Sequence, residues 1–170
     1  RKKLPKLRGI MQDMFQHIYD TSPVPRTRFA FAAAISTMST LIGNKVRYNN
    51  ISPNLYSMIL SPSGYGKDHP MKFPTRLLSK IKKADMIGES HPVSDSSIIH
   101  RLPLHGVRID VIDEAAILFE AINANSGSYQ GRMSDVYAKL YTSTNDYFGG
   151  KNAIAYKEKG NEKGNIGECF

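Results

Sequence analysis

The stretch "SPSGYGKD" (61–68) constrains this chain more than any other. It follows the apolar run "NLYSMIL" (54–60), which reads as a buried strand, and precedes a segment with helical spacing that reaches about Lys83. Gly64 and Gly66 permit backbone conformations and close approaches that other residues resist. Between a strand and a helix, such a loop converges its N–H groups at a helix N-terminus, where the dipole favours an anion. Lys67 comes next, long enough to reach the outer charges of a bound polyphosphate. The complete motif is a glycine, four free positions, then Gly-Lys-Ser or Gly-Lys-Thr. Here Ser61 replaces the first glycine, and Asp68 replaces the hydroxyl that ordinarily contacts a metal. The first change affects only the start of the turn. The second sets a carboxylate next to the anion, where it must bind Mg²⁺, turn away, or mark a site that no longer holds triphosphate well. The bland alternative is a glycine-rich turn beside an incidental lysine.

A second stretch adds weight. "VRIDVIDE" (107–114) reads as an apolar strand ending in two acids, and Asp113 follows Lys67 by 46 positions. An acid at a strand tip can hold Mg²⁺ directly or through water, and Glu114 can polarise an attacking water. The alternative is that the pair only caps the following helix. Each motif alone is weak; in this order, each after an expected strand, they reinforce one another. Arg108 and Asp110 are out of place in a buried strand, so they are expected to pair with their surroundings or to face a partner chain.

Helical spacing runs through Leu7, Ile10, Met11, Met14, Phe15 and Ile18 and stops at Pro23 and Pro25. A second helix begins near Arg26, with Phe31, Ala34, Ile35, Met38, Leu41 and Ile42 as its expected inner face and Gly43-Asn44 as its stop. "KVRYN" and "DMIG" read as short strands. Pro74 predicts a kink or restart in the helix after the loop. Ser94 or Asp95 can cap a short helix ending near Pro103. "DEAAILFEAINA" reads as helical, Met133, Val136, Tyr137, Leu140 and Tyr141 mark an amphipathic helix, and the last stretch reads as a hairpin leading into a strand. Strands alternating with helices predict a mostly parallel sheet covered on both faces.

The 170 residues suffice for one domain with a substantial core. A start at Arg1 and an end in an apolar run suggest a piece of a longer protein. The single cysteine, Cys169, excludes an internal disulfide and a cysteine-rich zinc site, which fits a reducing, cytoplasmic setting. It reads as a small strand residue, not a nucleophile, because no base is placed beside it. His91, His100 and His105 lack metal-ligand spacing. The apolar stretch from Phe29 to Ile42 is too short and too hydroxyl-rich to span a membrane. A net charge of +8 favours a polyanionic partner. Its basic residues gather at the N-terminus (Arg1, Lys2, Lys3, Lys6, Arg8) and at Lys72, Arg76, Lys80, Lys82 and Lys83. Aromatic residues are not interleaved with either cluster, so no base-stacking platform is indicated.

"SPSGYGKD" and "VIDE" together resemble the Walker A and Walker B motifs of RecA-like and AAA+ P-loop ATPases with a catalytic glutamate. The layout of "RFAFAAAISTMSTLIGNKVRYN", "NLYSMIL" and "YAKLYTSTNDYF" is similar to the helicase-type ATPase module of phage and plasmid DNA-replication (primase-helicase) proteins. The resemblance implies an α/β, three-layer RecA-like P-loop NTPase core with a mostly parallel sheet over residues 26–170, its last strands beyond Phe170, behind a basic helical segment at 1–25. It implies that Ser61, Ser63, Gly64, Tyr65, Gly66, Lys67 and Asp68 surround ATP. It further implies that Asp113, with Asp68, holds Mg²⁺, and that Lys67 and Glu114 are catalytic. The residue that senses the terminal phosphate would lie beyond Phe170. An arginine finger would come from a neighbouring subunit, with Arg101 and Arg132 as candidates on loops that a solvated surface role explains better. The function implied is ATP hydrolysis coupled to movement on single-stranded DNA, or RNA, by a homo-oligomeric ring. Its rivals are a kinase or an AAA+ machine acting on protein, and a degenerate P-loop module that binds nucleotide without turnover, for which Asp68 is the best support.

Overall fold

A computed structural model of the chain describes residues 4–49, 51–92, 94–101, 106–124 and 132–142. Six α-helices carry the architecture: α1 (Ile10–Thr21), α2 (Thr27–Ile42), α3 (Asp68–Lys80), α4 (Asp95–Arg101), α5 (Ala115–Ala124) and α6 (Met133–Thr142). Short 3₁₀ turns follow α2 (Gly43–Lys45) and precede the 87–89 segment (Ala84–Met86).

α1 ends at Ser22, one residue before Pro23, as the missing amide of proline requires. α2 ends at Gly43, whose φ of 44° lies in the left-handed region. A Cβ on Gly43 would stand 2.7 Å from Val107, so glycine also lets the 107 segment lie against the helix end. α1, α2 and α3 share one core, built on Met14, Ile18, Ala30, Ala33 and Ala34, with Leu7, Met11, Phe15, Tyr19, Leu41, Phe73 and Leu77 around it. Within the basic 1–25 segment, α1 packs directly on α2, so the apolar stripe read from its spacing is a packing face.

The inner face of α2 differs from the expected stripe. Ala30, Ala33, Ala34, Thr37 and Thr40 are buried, while Phe31, Ile35, Met38 and Ile42 are only partly covered. Small side chains let a neighbouring helix approach closely. The two threonines return their hydroxyls to the helix backbone, Thr37 to Ala33 O at 2.6 Å and Thr40 to Ser36 O at 3.0 Å, so no polar group is stranded. α3 runs unbroken past Pro74, contrary to the predicted restart; both Pro70 and Pro74 are buried on its inner side.

A second core joins α4 to α6 through Ile98, Ile99, Met133, Val136 and Leu140, with Leu118 and Ile122 of α5 against it. Ser94 caps α4 by accepting the Ser97 N–H at 3.1 Å, as its position predicts. Met133, Val136 and Leu140 of the predicted amphipathic face of α6 enter this core with Tyr137 against it, whereas Tyr141 is exposed.

The RecA-like three-layer architecture and its parallel sheet are overturned: the described residues contain no strand and no sheet. Two isolated bridges stand where strands were expected. Tyr48 pairs with Ile51 across a tight turn, and Ile87 pairs with Ile109 in parallel. The second bridge rests on Gly88 N–H to Ile109 O and Ile109 N–H to Met86 O, each 2.9 Å. The Glu89 N–H is taken by the Asp110 carboxylate at 3.0 Å, and the carboxylate crowds so closely on Gly88 that a Cβ there would collide with it. "NLYSMIL" forms no ladder, and Leu55, Tyr56, Met58 and Leu60 are exposed instead of buried. Among the described residues, no helix is long and apolar enough to cross a membrane. The expected C-terminal hairpin, Cys169 and His105 lie outside the described residues.

Candidate functional site

The glycine loop forms where the sequence places it. Gly64 and Gly66 have φ of 71° and 86°, left-handed values that glycine adopts at little cost. The two have different surroundings. Gly64 faces open space, whereas a Cβ on Gly66 would lie 2.8 Å from both the Val24 Cβ and the Val24 carbonyl oxygen. The loop is thus seated on the proline turn between α1 and α2. A second tie runs from the end of α1 to the first turn of α3. The Thr21 hydroxyl donates to His17 O at 2.6 Å and accepts from His69 Nε2 at 3.0 Å. Burial, then nearby Arg76 and His17, hold His69 below its usual pKa.

Lys67 stands immediately before α3 and turns its ammonium onto Asp113, 46 residues away. The Nζ–Oδ1 distance is 2.6 Å, and Asp68 Oδ1 lies 3.6 Å from the same nitrogen. Asp113 Oδ1 also accepts the Glu114 N–H at 2.9 Å. The Lys67 hydrogen bond, then that N–H, hold Asp113 below the usual carboxylate range; Asp113 in turn holds the Lys67 ammonium above its usual value. The two motifs are therefore brought together, although the sheet expected to do it is missing. Asp113 also receives the amide that leads into α5, so the capping and metal-binding readings concern the same carboxylate. Glu114 precedes α5 with φ 53°, unusual for a residue with a side chain, and is exposed.

The remaining loop residues are dispersed. Ser61 buries a hydroxyl that has no hydrogen-bond partner. Ser63 is exposed in the turn. Tyr65 is exposed, with Phe29 edge-on at 6.4 Å and the Arg26 guanidinium 3.8 Å above its ring centre. Asp68 opens α3 with a side chain 69% exposed, so it sits at the loop without being enclosed by it. Sequence reasoning missed Arg26 and Val24. Neither carries a signal at fixed spacing, because both reach the loop through the packing of α1 and α2.

Two carboxylates gathered around one ammonium form a donor set that suits Mg²⁺. A cation already occupies their midst, and Mg²⁺ is ordinarily held by one or two protein carboxylates with phosphates and waters completing its shell. Among the described residues no group of three or more metal-ligating side chains occurs. His91 is exposed beside Ser90, and the side chain of His100 lies outside the described residues.

Arg108 and Asp110 pair with each other, Nε to Oδ1 at 3.2 Å, as one of the two expectations had it. Burial, against the pull of Arg108, raises the pKa of Asp110, and burial pushes the neighbouring Tyr56 up to about 12. Arg132 pairs with the fully buried Asp95 at 3.3 Å, its own side chain 43% exposed. The side chain of Arg101 lies outside the described residues. Lys72, Arg76 and Lys80 are spaced one helical turn apart on the exposed side of α3, and Lys82 and Lys83 extend that stripe.

No protein-family model matches this chain, and no curated protein or solved structure is detectably similar to it.

Proposed function

We propose that this chain binds Mg²⁺–ATP at residues 61–68 and hydrolyses it, and that turnover drives movement on single-stranded nucleic acid in the cytoplasm. The role is that of the ATPase part of a phage or mobile-element replication helicase, working as a ring. The observation that carries the reading is the 2.6 Å contact between Lys67 and Asp113. A lysine behind two left-handed glycines and an acid from a distant segment meet at one point, as a triphosphate–metal site requires. In the unliganded chain the ammonium is held by carboxylates. With nucleotide present, Lys67 would donate its hydrogen bonds to phosphate oxygens, and Asp113 and Asp68 are the carboxylates that would hold Mg²⁺. The metal, when bound, neutralises charge that develops on the phosphates. Glu114, exposed next to Asp113, accepts a proton from the attacking water. The basic stripe of α3 supplies charges that can meet a phosphate backbone.

A second reading is favoured by Asp68. At about 5 Å and an effective dielectric near 20, a carboxylate beside a phosphate costs about 3 kcal/mol, which a helix N-terminus offsets by only about 0.3–1 kcal/mol. A module that binds nucleotide without turning it over would tolerate such a residue. Steady-state ATP hydrolysis, with and without single-stranded DNA, separates the two. The hydrolysis reading expects Glu114→Gln to keep ATP affinity and lose roughly 10²-fold or more in turnover. Turnover unchanged by Glu114→Gln rules out its role as base, and binding without any turnover in wild type selects the second reading.

A further inference from the structure

We infer that Arg26 is an anion-binding residue of the same site, supplied by the N-terminus of α2 and aimed by Tyr65. The inference rests on the nucleotide reading above and adds a contact for the polyphosphate. Lys67 is already compensated by two carboxylates at 2.6 Å and 3.6 Å. Arg26 is different: among the described residues no carboxylate pairs with it, and its Nε is buried without a hydrogen-bond partner. What holds it is an aromatic face. Its guanidinium lies 3.8 Å from the centre of the Tyr65 ring, and Tyr65 stands between Gly64 and Gly66 in the loop itself. Phe29, one turn into α2, braces that ring edge-on. The neighbouring contact of Val24 with Gly66 fixes the Arg26 segment against the loop backbone. A guanidinium stacked by its face keeps its donor edge free, and that planar fork suits phosphate oxygens. A cation with no carboxylate partner among the described residues is thus held beside backbone already shaped for an anion.

The experiment measures binding of two probes, Mg²⁺–ATP and inorganic tripolyphosphate, by calorimetry to the full chain. Wild type is compared with Arg26→Gln and Arg26→Lys, and circular dichroism checks that each variant is folded. Arg26→Gln is expected to weaken both probes about tenfold or more, because it removes charge-assisted hydrogen bonds. Arg26→Lys is expected to recover only part of the loss, since it keeps the charge without the fork. If Arg26→Gln does not fold, Arg26→Lys carries the test alone and must still weaken tripolyphosphate. Unchanged affinity for both probes overturns the inference and leaves the nucleotide reading standing. A loss confined to ATP also overturns it, by assigning Arg26 to the base. If wild type binds neither probe, the nucleotide reading fails and this inference fails with it.

Discussion

The α1–α3 layer and the segment at 54–60 both carry large apolar side chains, yet one is packed and the other lies open. Ile18 and Leu78 have no exposed surface, whereas Met58 is 60% exposed and Leu60 84%. A helix satisfies its backbone within itself and needs only one neighbour for its apolar face. A strand depends on a second segment for every hydrogen bond, and an apolar pattern does not supply that segment. The comparison teaches that the loop is anchored from one side. α3 behind it and the proline turn beneath it belong to the packed layer, while the apolar run leading into it is held chiefly by side chains. These include Asn54 Nδ2 donating to Leu140 O at 3.2 Å and the Tyr56 hydroxyl donating to Tyr137 O at 2.9 Å.

The largest expected effect probes that contrast directly. Ile18→Ala or Leu78→Ala should cost about 2–5 kcal/mol by denaturant unfolding, because each leaves a cavity where a fully buried side chain stood. Leu60→Ala should stay within about 0.5 kcal/mol. A large loss at Leu60 would show that the 54–60 run is buried in solution and erase the difference between the regions.

A smaller effect is expected within the loop, where the same contrast recurs between two glycines. Gly64→Ala meets open space and should lose only the left-handed backbone term, about 1 kcal/mol. Gly66→Ala adds a collision with the Val24 backbone and should cost about 2 kcal/mol or more. Equal losses in thermal unfolding would mean that the loop does not rest on the proline turn.

Helices were legible in the sequence wherever periodicity coincided with a stop signal. Pro23 ends α1, Gly43 ends α2 and Ser94 begins α4, each because one residue removes or supplies one hydrogen bond. The buried face of α2 was not legible, because alanine and threonine carry a weak hydrophobic signal and the close approach they permit exists only once α1 is present. Strand pairing was not legible either. An apolar run does not name the segment that will pair with it, and the approach of Asp110 to Gly88 and Glu89 exists only in the folded chain. For the candidate site, the left-handed glycines and the positions of Lys67 and Asp113 were readable from the spacing of the two motifs, and the structure brings Lys67 and Asp113 into contact. Arg26 was not, because tertiary packing alone brings it to Tyr65.

The smallest effect concerns the Lys67–Asp113 pair as a contributor to stability. Asp113 is held below its usual pKa, so its contribution is present above about pH 4 and fades as pH falls through the lower folded value. Lys67 is held above its usual pKa, so its contribution is present below about pH 10 and fades as pH rises through the higher folded value. Both side chains are partly exposed, so a double-mutant cycle at neutral pH should give only about 0.2–1 kcal/mol. The coupling should vanish outside that window. A value of several kcal/mol at pH 7 would point to a deeply enclosed pair with a structural task.

The central claim is that Lys67 and Asp113 meet in order to share a nucleotide and its metal. Calorimetric titration of ATP, with and without Mg²⁺, into wild type, Lys67→Ala and Asp113→Asn tests it most directly. Lys67→Ala should lose affinity in both conditions, by tenfold or more, because a phosphate-binding cation is gone. Asp113→Asn should lose only the gain that Mg²⁺ confers, and should bind metal-free ATP as well as wild type or better, because Lys67 is released from its carboxylate. Binding that is equal in all three proteins, or absent from wild type, would contradict the account.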